Sequence, residues 1–227
     1  MNDKELIAIQ AAAQVTNGMT VGLGTGSSAN YFIAELARRY REEQLQVATV
    51  ASSVISAMKA QELGLPTLGF EQITQLDLYV DGADEVAPDL TLLKGQGVDL
   101  VREKLLATAS EQFMVLVEQS KWVERIGEKF AIPIEVMPFA WQLVKKQLEN
   151  CGGEGELRLN ATKSGCAISS YGNLILDMRF DPNMDIKTLN NTLNSLPGVV
   201  EHGIFYRLAA TVLIGNAGRV KVLTADS

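Results

Sequence analysis

Short apolar strands alternating with amphipathic helices predict an α/β protein: an open, mostly parallel sheet with helices on both faces, plus an inserted smaller α+β ferredoxin-like lobe. Three observations carry this expectation. Strands and helices alternate through the first half of the 227 residues, and the rhythm changes near Phe130 to a βαββα pattern. The last apolar runs are short strands able to rejoin the first sheet. The expected division is residues 1–129 with 208–227 as the α/β catalytic domain and 130–207 as the lobe.

Taken in order, Leu6, Ile9 and Ala13 share one face of a first helix, opened by the capping-type Asn2-Asp3. Met19 to Leu23 reads as a strand, and Ile33, Leu36, Ala37 and Tyr40 form a helical stripe after it. Gln46 to Val50 is a second strand, followed by a helix from Ser53 to Leu63. Leu76 to Val80 is a third strand, buried by its pattern, and Phe113 to Val117, an unbroken apolar run, is a fourth. In the lobe, Ile132 to Val136 is strand-like and Trp141 to Leu148 helical, ending at Cys151-Gly-Gly153. Strands are expected at Glu156 to Leu159 and Leu174 to Phe180. A helix from Asp185 to Leu196 is stopped by Pro197-Gly198, and a strand lies around Gly203 to Tyr206. Ala210 to Ile214 and Val220 to Leu223 are the closing strands.

The composition narrows the function. The chain is 47% hydrophobic and 21% charged, with 20 Lys and Arg against 27 Asp and Glu, a net charge of -7. An acidic balance argues against nucleic-acid or anionic-membrane partners, which need clustered basic residues. An anionic ligand must then be held by a local positive site. No apolar run reaches the roughly 18 residues of a membrane span, and the amino terminus lacks a cationic stretch and a small-residue cleavage site. A cytoplasmic location is expected. Cys151 and Cys166 fit no zinc or CxxC spacing and are expected as reduced thiols. The single histidine, His202, stands outside any polar cluster, which removes histidine triads and His-rich metal sites. Proton chemistry falls to carboxylates and lysines.

Three polar loops lie where open α/β sheets bind ligands, at the carboxyl ends of strands. Gly22-Leu-Gly-Thr-Gly-Ser-Ser28 places three hydroxyls at a helix entry, where free N–H groups favour phosphate; it lacks the lysine of a nucleotide-binding loop. Alone it reads equally as a tight turn with a serine cap. Asp81-Gly-Ala-Asp84 presents two carboxylates around a glycine, able to bind sugar hydroxyls or a divalent ion, or to form a plain polar turn. Lys94-Gly-Gln-Gly97 sets an ammonium beside a glycine-rich helix entry, and the helix carries Arg102-Glu-Lys104. By spacing alone Glu103 is an ordinary surface charge.

Together and in this order, Gly24-Thr-Gly-Ser-Ser28, Val80-Asp-Gly-Ala-Asp-Glu85, Lys94-Gly-Gln-Gly97 and Arg102-Glu-Lys104 closely resemble the signature segments of the ribose-5-phosphate isomerase A family. The likeness continues through Ser120-Lys121, Pro133 to Pro138, Gly172 to Asp177 and Pro197 to Val200. It implies interconversion of ribose 5-phosphate and ribulose 5-phosphate, a homodimer or homotetramer, and no cofactor or metal. It implies that the pentose phosphate is bound by Thr25, Gly26, Ser27, Ser28, Asp81, Gly82, Ala83, Asp84, Lys94, Gly95, Gln96, Gly97 and Lys121, and that Glu103 is the proton acceptor. Ser28 stands where threonine is commoner, keeping the hydroxyl, and Gln96 where many members have glycine and some arginine.

The residue chemistry agrees. Aldose–ketose isomerisation needs a base to move a proton between adjacent carbons through an enediolate, and an electrophile for the developing oxyanion. Glu103 suits the first role and Lys94 the second, with Asp81 and Asp84 orienting hydroxyls and one of them assisting ring opening. Three competing classes fit less well. A sugar-phosphate-binding regulatory module needs an output domain, a deaminase or lactonase needs a placed histidine, and a metal-dependent hydride-shift isomerase needs ligands beyond the two aspartates.

Overall fold

The computed structural model describes residues 2–225; the outermost residues of the expected catalytic domain, 1 and 226–227, lie outside them. The chain begins with α1 (Asp3–Ala12), β1 (Thr20–Leu23), α2 (Ser27–Glu42), β2 (Ala48–Ala51), α3 (Val54–Glu62) and β3 (Leu76–Asp81). A short hairpin of β4 (Glu85–Val86) and β5 (Leu92–Leu93) precedes α4 (Leu100–Ala109), which runs directly into β6 (Ser110–Glu118). Then come β7 (Ile132–Val136), α5 (Trp141–Asn150), β8 (Glu154–Leu157), β9 (Leu174–Arg179), α6 (Ile186–Ser195) and β10 (Val199–His202). The chain closes with β11 (Ile204–Phe205), β12 (Thr211–Asn216) and β13 (Arg219–Thr224). No helix is long and apolar enough to cross a membrane among the described residues.

Two compact units result. The first comprises Met1–Ala83, Arg102–Trp122 and Arg207–Ser227, the second Asp84–Val101 and Val123–Tyr206. Residues 84–101 thus group with the lobe rather than with the α/β domain where sequence reading put them. The cause is backbone pairing: β5 accepts β11 as an antiparallel neighbour, through Leu93↔Ile204 and Leu92↔Phe205. The β4–β5 hairpin carries too few apolar residues in regular alternation to be seen in the sequence.

The first unit is built on a six-stranded sheet of order β13-β12-β6-β3-β1-β2. Every pairing is parallel except the terminal β12–β13 hairpin, so the closing strands do rejoin the first sheet. One sheet face packs Val21, Leu23, Leu78, Val80, Met114 and Leu116 against α1 and α2. On the other face Tyr79 and Phe113, register partners on β3 and β6, stack with ring centroids 4.9 Å apart. In α1 the buried residues are Ile7, Ala8, Ala11 and Ala12, not the expected Leu6, Ile9 and Ala13. The rotation has a cause: the Asp3 carboxylate accepts from the amides of Ala217 (3.0 Å) and Gly218 (2.7 Å) in the β12–β13 turn. That tether turns the alanine-rich face inward, where small side chains allow close approach.

The second unit holds a three-stranded sheet, β11-β5-β4, and a four-stranded antiparallel sheet, β10-β7-β9-β8. The latter, threaded as β7-α5-β8-β9-α6-β10, has the order of a ferredoxin-like split βαβ unit. The expected strand around Gly203 to Tyr206 is β11, which pairs with β5, and β10 just before it completes the four-stranded sheet. α6 is capped by Asp185, whose carboxylate accepts from the Thr188 amide at 2.8 Å. His202 is buried and satisfied, accepting from the Ile204 amide at Nδ1 and pairing through Nε2 with Asn194 Oδ1 at 3.1 Å. Both cysteines are free.

Glu135 on β7 is fully buried. Its Oε1 accepts from Ser169 Oγ (2.6 Å) and Asn173 Nδ2 (2.8 Å), while Oε2 has no partner. Burial pushes this carboxyl above its usual range, the Ser169 and Asn173 hydrogen bonds oppose the shift, and the charges of Asp99 and Glu201 add to it. A folded-state value raised above the unfolded one gives stability that is complete below about pH 4.3, where the unfolded chain also holds the proton. It is lost as pH rises through the folded value. Glu135→Gln should therefore show a smaller fall in unfolding free energy between pH 4 and 7 than the parent, measured by urea denaturation. Equal slopes would mean that Glu135 is ionised in the folded protein.

Candidate active site

In the first unit the site grows from the end of β3. Asp81 is 0% exposed, and its carboxylate is surrounded by donors. Oδ1 accepts from the Thr25 amide (3.0 Å) and the Gly82 amide (2.7 Å), and Oδ2 accepts from Tyr79 Oη (2.5 Å). Such charge-assisted bonds contribute about 1.5–3 kcal/mol each, enough to hold a buried charge and fix the Gly24–Ser28 loop beside β3. Gly24 is required by this packing, since a Cβ there would overlap the Asp81 carboxylate. The loop then turns through Gly26 at φ 109°, ψ −177°, a conformation reserved for glycine.

That turn delivers the chain to α2 with no side chain capping it. Ser27 and Ser28 occupy the first turn, Ser27 exposed and Ser28 half-buried. An uncapped helix entry with exposed hydroxyls is chemically an oxyanion seat. Thr25 is fixed from a second direction: its hydroxyl meets Ser52 Oγ (2.9 Å), Ser53 Oγ (2.7 Å) and Ser56 Oγ (3.1 Å). Ser56 also donates to the Gly24 carbonyl at 2.6 Å, and Ser53 caps α3. These three serines were not singled out in the sequence. A run of small hydroxyls just after a strand was the available signal, and it reads equally as a helix cap.

Glu103 sits on α4 and is only 7% exposed, so it is not the solvated surface charge its neighbours suggested. Arg102, beside it, places its guanidinium over the Phe70 ring, 5.1 Å from the centroid. Tyr79 registers the electrostatics of the region. Its hydroxyl is pushed well above the usual tyrosine range by burial, then by the charges of Asp81 and Glu103. Tyr79 therefore stays a neutral donor, and it donates to Asp81. Gly82 and Ala83 follow Asp81, half-buried, and Lys121 lies on the 3₁₀ turn Gln119–Lys121 after β6.

The second unit holds the remaining candidates at the open end of the β4–β5 hairpin. Asp84 precedes β4; its amide donates to the Leu93 carbonyl (2.8 Å), and its Oδ2 accepts from the Gln96 amide (3.1 Å). Lys94 follows β5, is 4% exposed, and holds its ammonium 5.7 Å from the centroid of the Phe205 ring. The Gly95-Gln96-Gly97 backbone is gripped by Arg158, whose Nη1 donates to the carbonyls of Gly95 (3.0 Å) and Gln96 (3.2 Å). Arg158 is itself clamped by Asp177 through Nε (2.8 Å) and Nη2 (2.5 Å). The two are far apart in sequence from the loop they support, which is why sequence reading missed them. No group of three or more metal-ligating side chains occurs among the described residues.

A mostly parallel sheet carrying a hydroxyl-rich, uncapped helix entry, together with buried carboxylates at strand ends, defines an α/β enzyme built for small anionic ligands. The model of the ribose 5-phosphate isomerase A (phosphoriboisomerase A) family matches residues 48–219, and the chain belongs to that family. It is 40% identical over 214 residues to a ribose-5-phosphate isomerase A from Thermosynechococcus vestitus, covering 94% of this chain and 91% of the relative. It is 41% identical over 223 residues to one from Methanothermobacter thermautotrophicus, covering 98% of each. Its structure resembles ribose 5-phosphate isomerase A from Methanocaldococcus jannaschii, with TM-score 0.92, 40% identity and 98% of both chains covered. It also resembles a D-ribose-5-phosphate isomerase in complex with phospho-erythronic acid, with TM-score 0.94, 36% identity and coverage of 99% of this chain and 100% of that one.

Gly24→Ala should test the loop directly. The added methyl must push Asp81 or the loop aside, so the unfolding free energy measured by urea denaturation should fall by about 1–3 kcal/mol. Parent-like stability would mean that the loop does not depend on this close approach to Asp81.

Proposed function

We propose that the protein interconverts ribose 5-phosphate and ribulose 5-phosphate, with Glu103 as the base that carries the proton between C1 and C2 through an enediolate. Family membership supports the substrate, and one observation carries the mechanism: Glu103 is buried in the same unit as the Asp81-anchored loop and shares an electrostatic environment with Asp81. A partly desolvated carboxylate is a better base toward a weakly acidic C–H than a solvated one.

The other roles follow from the chemistry of each group. The uncapped start of α2, with Thr25, Gly26, Ser27 and Ser28, receives the phosphate. Lys94 stabilises the negative charge that develops on oxygen, and its burial strengthens that charge's effect. Asp84, half-exposed, is the carboxylate available to a sugar hydroxyl, whereas Asp81 is occupied by three protein donors and acts by shaping the loop. The Gly82-Ala83 and Gly95-Gln96-Gly97 backbones and Lys121 complete the substrate contacts. The functional form is a homodimer or homotetramer in the cytoplasm.

Glu103→Gln keeps shape and polarity and removes the base. It should lower kcat on ribose 5-phosphate roughly 10²–10⁴-fold with little change in KM. A variant with near-parent kcat would remove Glu103 from the mechanism.

The donor set predicts no metal requirement, because Asp81 is already saturated by N–H and O–H donors that a cation would have to displace. Exhaustive EDTA treatment should leave turnover unchanged. Loss of activity that Mg²⁺ or Mn²⁺ restores would reassign the aspartates to metal binding.

A further inference from the structure

The second unit contains a cavity of about 320 Å³ that none of the residues discussed as substrate contacts lines. Its interior is apolar, formed by Ile126, Ile132, Met178, Phe180, Met184 and Leu189. A dry cavity of about 150 Å³ holds one benzene, so this one accommodates on the order of a dozen heavy atoms. The volume and apolar lining are those of a small-molecule site, and the two methionines let the walls adapt to shape.

The rim decides the polar end of the ligand. Asp89 is used by its own turn, accepting from the Thr91 amide (3.0 Å) and hydroxyl (2.9 Å). Asp181 likewise accepts from the amide (2.8 Å) and side chain (3.1 Å) of Asn183. Arg179 spans the mouth with long bonds to the carbonyls of Gly127 (3.5 Å) and Lys129 (3.3 Å). Arg125 is exposed and makes no ion pair among the described residues. The two guanidiniums therefore keep most of their N–H donors for a ligand, which calls for an oxyanion. Glu124, exposed on the same rim, and the two turn carboxylates set an acidic background that disfavours a dianion such as a sugar phosphate.

The cavity also has a mechanical connection to the loops discussed above. One wall is Ala87, Pro88, Asp89 and Thr91, the turn of the β4–β5 hairpin. The open end of that hairpin carries Asp84 and Lys94. The opposite wall is tied to the hairpin by the buried Glu85, whose carboxylate accepts from the amides of Gly127 (2.6 Å), Lys129 (2.7 Å) and Phe130 (2.8 Å). A ligand that spreads or closes the walls moves a hairpin only two residue pairs long.

We propose that this cavity binds a small apolar monocarboxylate and that its occupancy tunes turnover by shifting Asp84 and Lys94 through the β4–β5 hairpin. The tuning rests on the roles proposed above for those two residues; the binding does not. The site is probed with 4-phenylbutyrate, 4-phenylbutanol and 4-phenylbutylamine on the full chain by calorimetry. The carboxylate should bind at one per chain, at least tenfold tighter than the alcohol, and the amine weakest. Arg125→Ala, a surface change, should bring the carboxylate down to the affinity of the alcohol, and Leu189→Trp, which fills the cavity, should abolish binding of all three. Saturating 4-phenylbutyrate should change kcat on ribose 5-phosphate twofold or more without competing for the substrate, an effect absent in Arg125→Ala. No binding at millimolar concentration, binding that survives both variants, tightest binding of the amine, or binding only with dissociation of an oligomer would overturn the site. Binding with unchanged kcat and KM in an active enzyme would overturn the tuning. A chain without isomerase activity that still binds 4-phenylbutyrate at this cavity would instead refute the proposed function.

Discussion

The structure around the candidate site depends on satisfying the Asp81 carboxylate. A charge removed from water at the end of a central strand must find donors within the protein, or it would cost several kcal/mol. Three donors converge on it: the Tyr79 hydroxyl from its own strand, the next amide in the chain, and the Thr25 amide from the loop after β1. The last of these has consequences. To bring that amide within reach, the loop must pass so close to Asp81 that residue 24 can have no side chain. It must then reverse through Gly26 to start α2. The uncapped helix entry is thus the downstream result of a buried charge on the neighbouring strand.

Four residues further along, Glu85 repeats the arrangement in the second unit. It too is fully buried and surrounded by backbone amides, three of them from Gly127, Lys129 and Phe130. The segment from Asp81 to Glu85 therefore has its two ends fixed by separate sets of main-chain donors, one in each unit. Between them lie Gly82, Ala83 and Asp84, half-buried and less constrained. This division separates the duties of acids that look alike in sequence: Asp81 and Glu85 hold backbone, and Asp84 keeps a carboxylate only partly engaged, by the Gln96 amide.

That distinction marks the limit of what the sequence could disclose. Strand–helix alternation, the buried parallel strands and the split βαβ lobe were legible because each is a local periodicity of apolar residues. The face of α1 was not, because it is set by Asp3 bonding to a turn 214 and 215 residues away. The β4–β5 hairpin was not, because each strand has only two residues and its third partner, β11, comes from beyond residue 200. The three loops were visible as motifs, and their combination pointed to the family. What held them was not: Ser52, Ser53 and Ser56 behind Thr25, and Arg158 with Asp177 behind Gly95 and Gln96, are contacts between segments distant in sequence. Glu103 shows the same limit on one residue. Flanked by Arg102 and Lys104, it has the local pattern of solvated helix surface, and only the fold buries it.

Glu103 is a buried carboxylate in a chain whose one histidine is spent on Asn194 and a backbone amide. Tyr79 is informative here. Its proton is held more firmly than in water because burial and the charges of Asp81 and Glu103 all oppose a third anion beside them. Its neutral hydroxyl can donate to only one acceptor, and it donates to Asp81. Asp81 is thereby held by three donors, two backbone amides and that hydroxyl. Two buried acids of one unit thus meet different surroundings: Asp81 is fixed by donors from its own strand and from the loop after β1, and Glu103 stands on α4, where its charge bears on the same tyrosine.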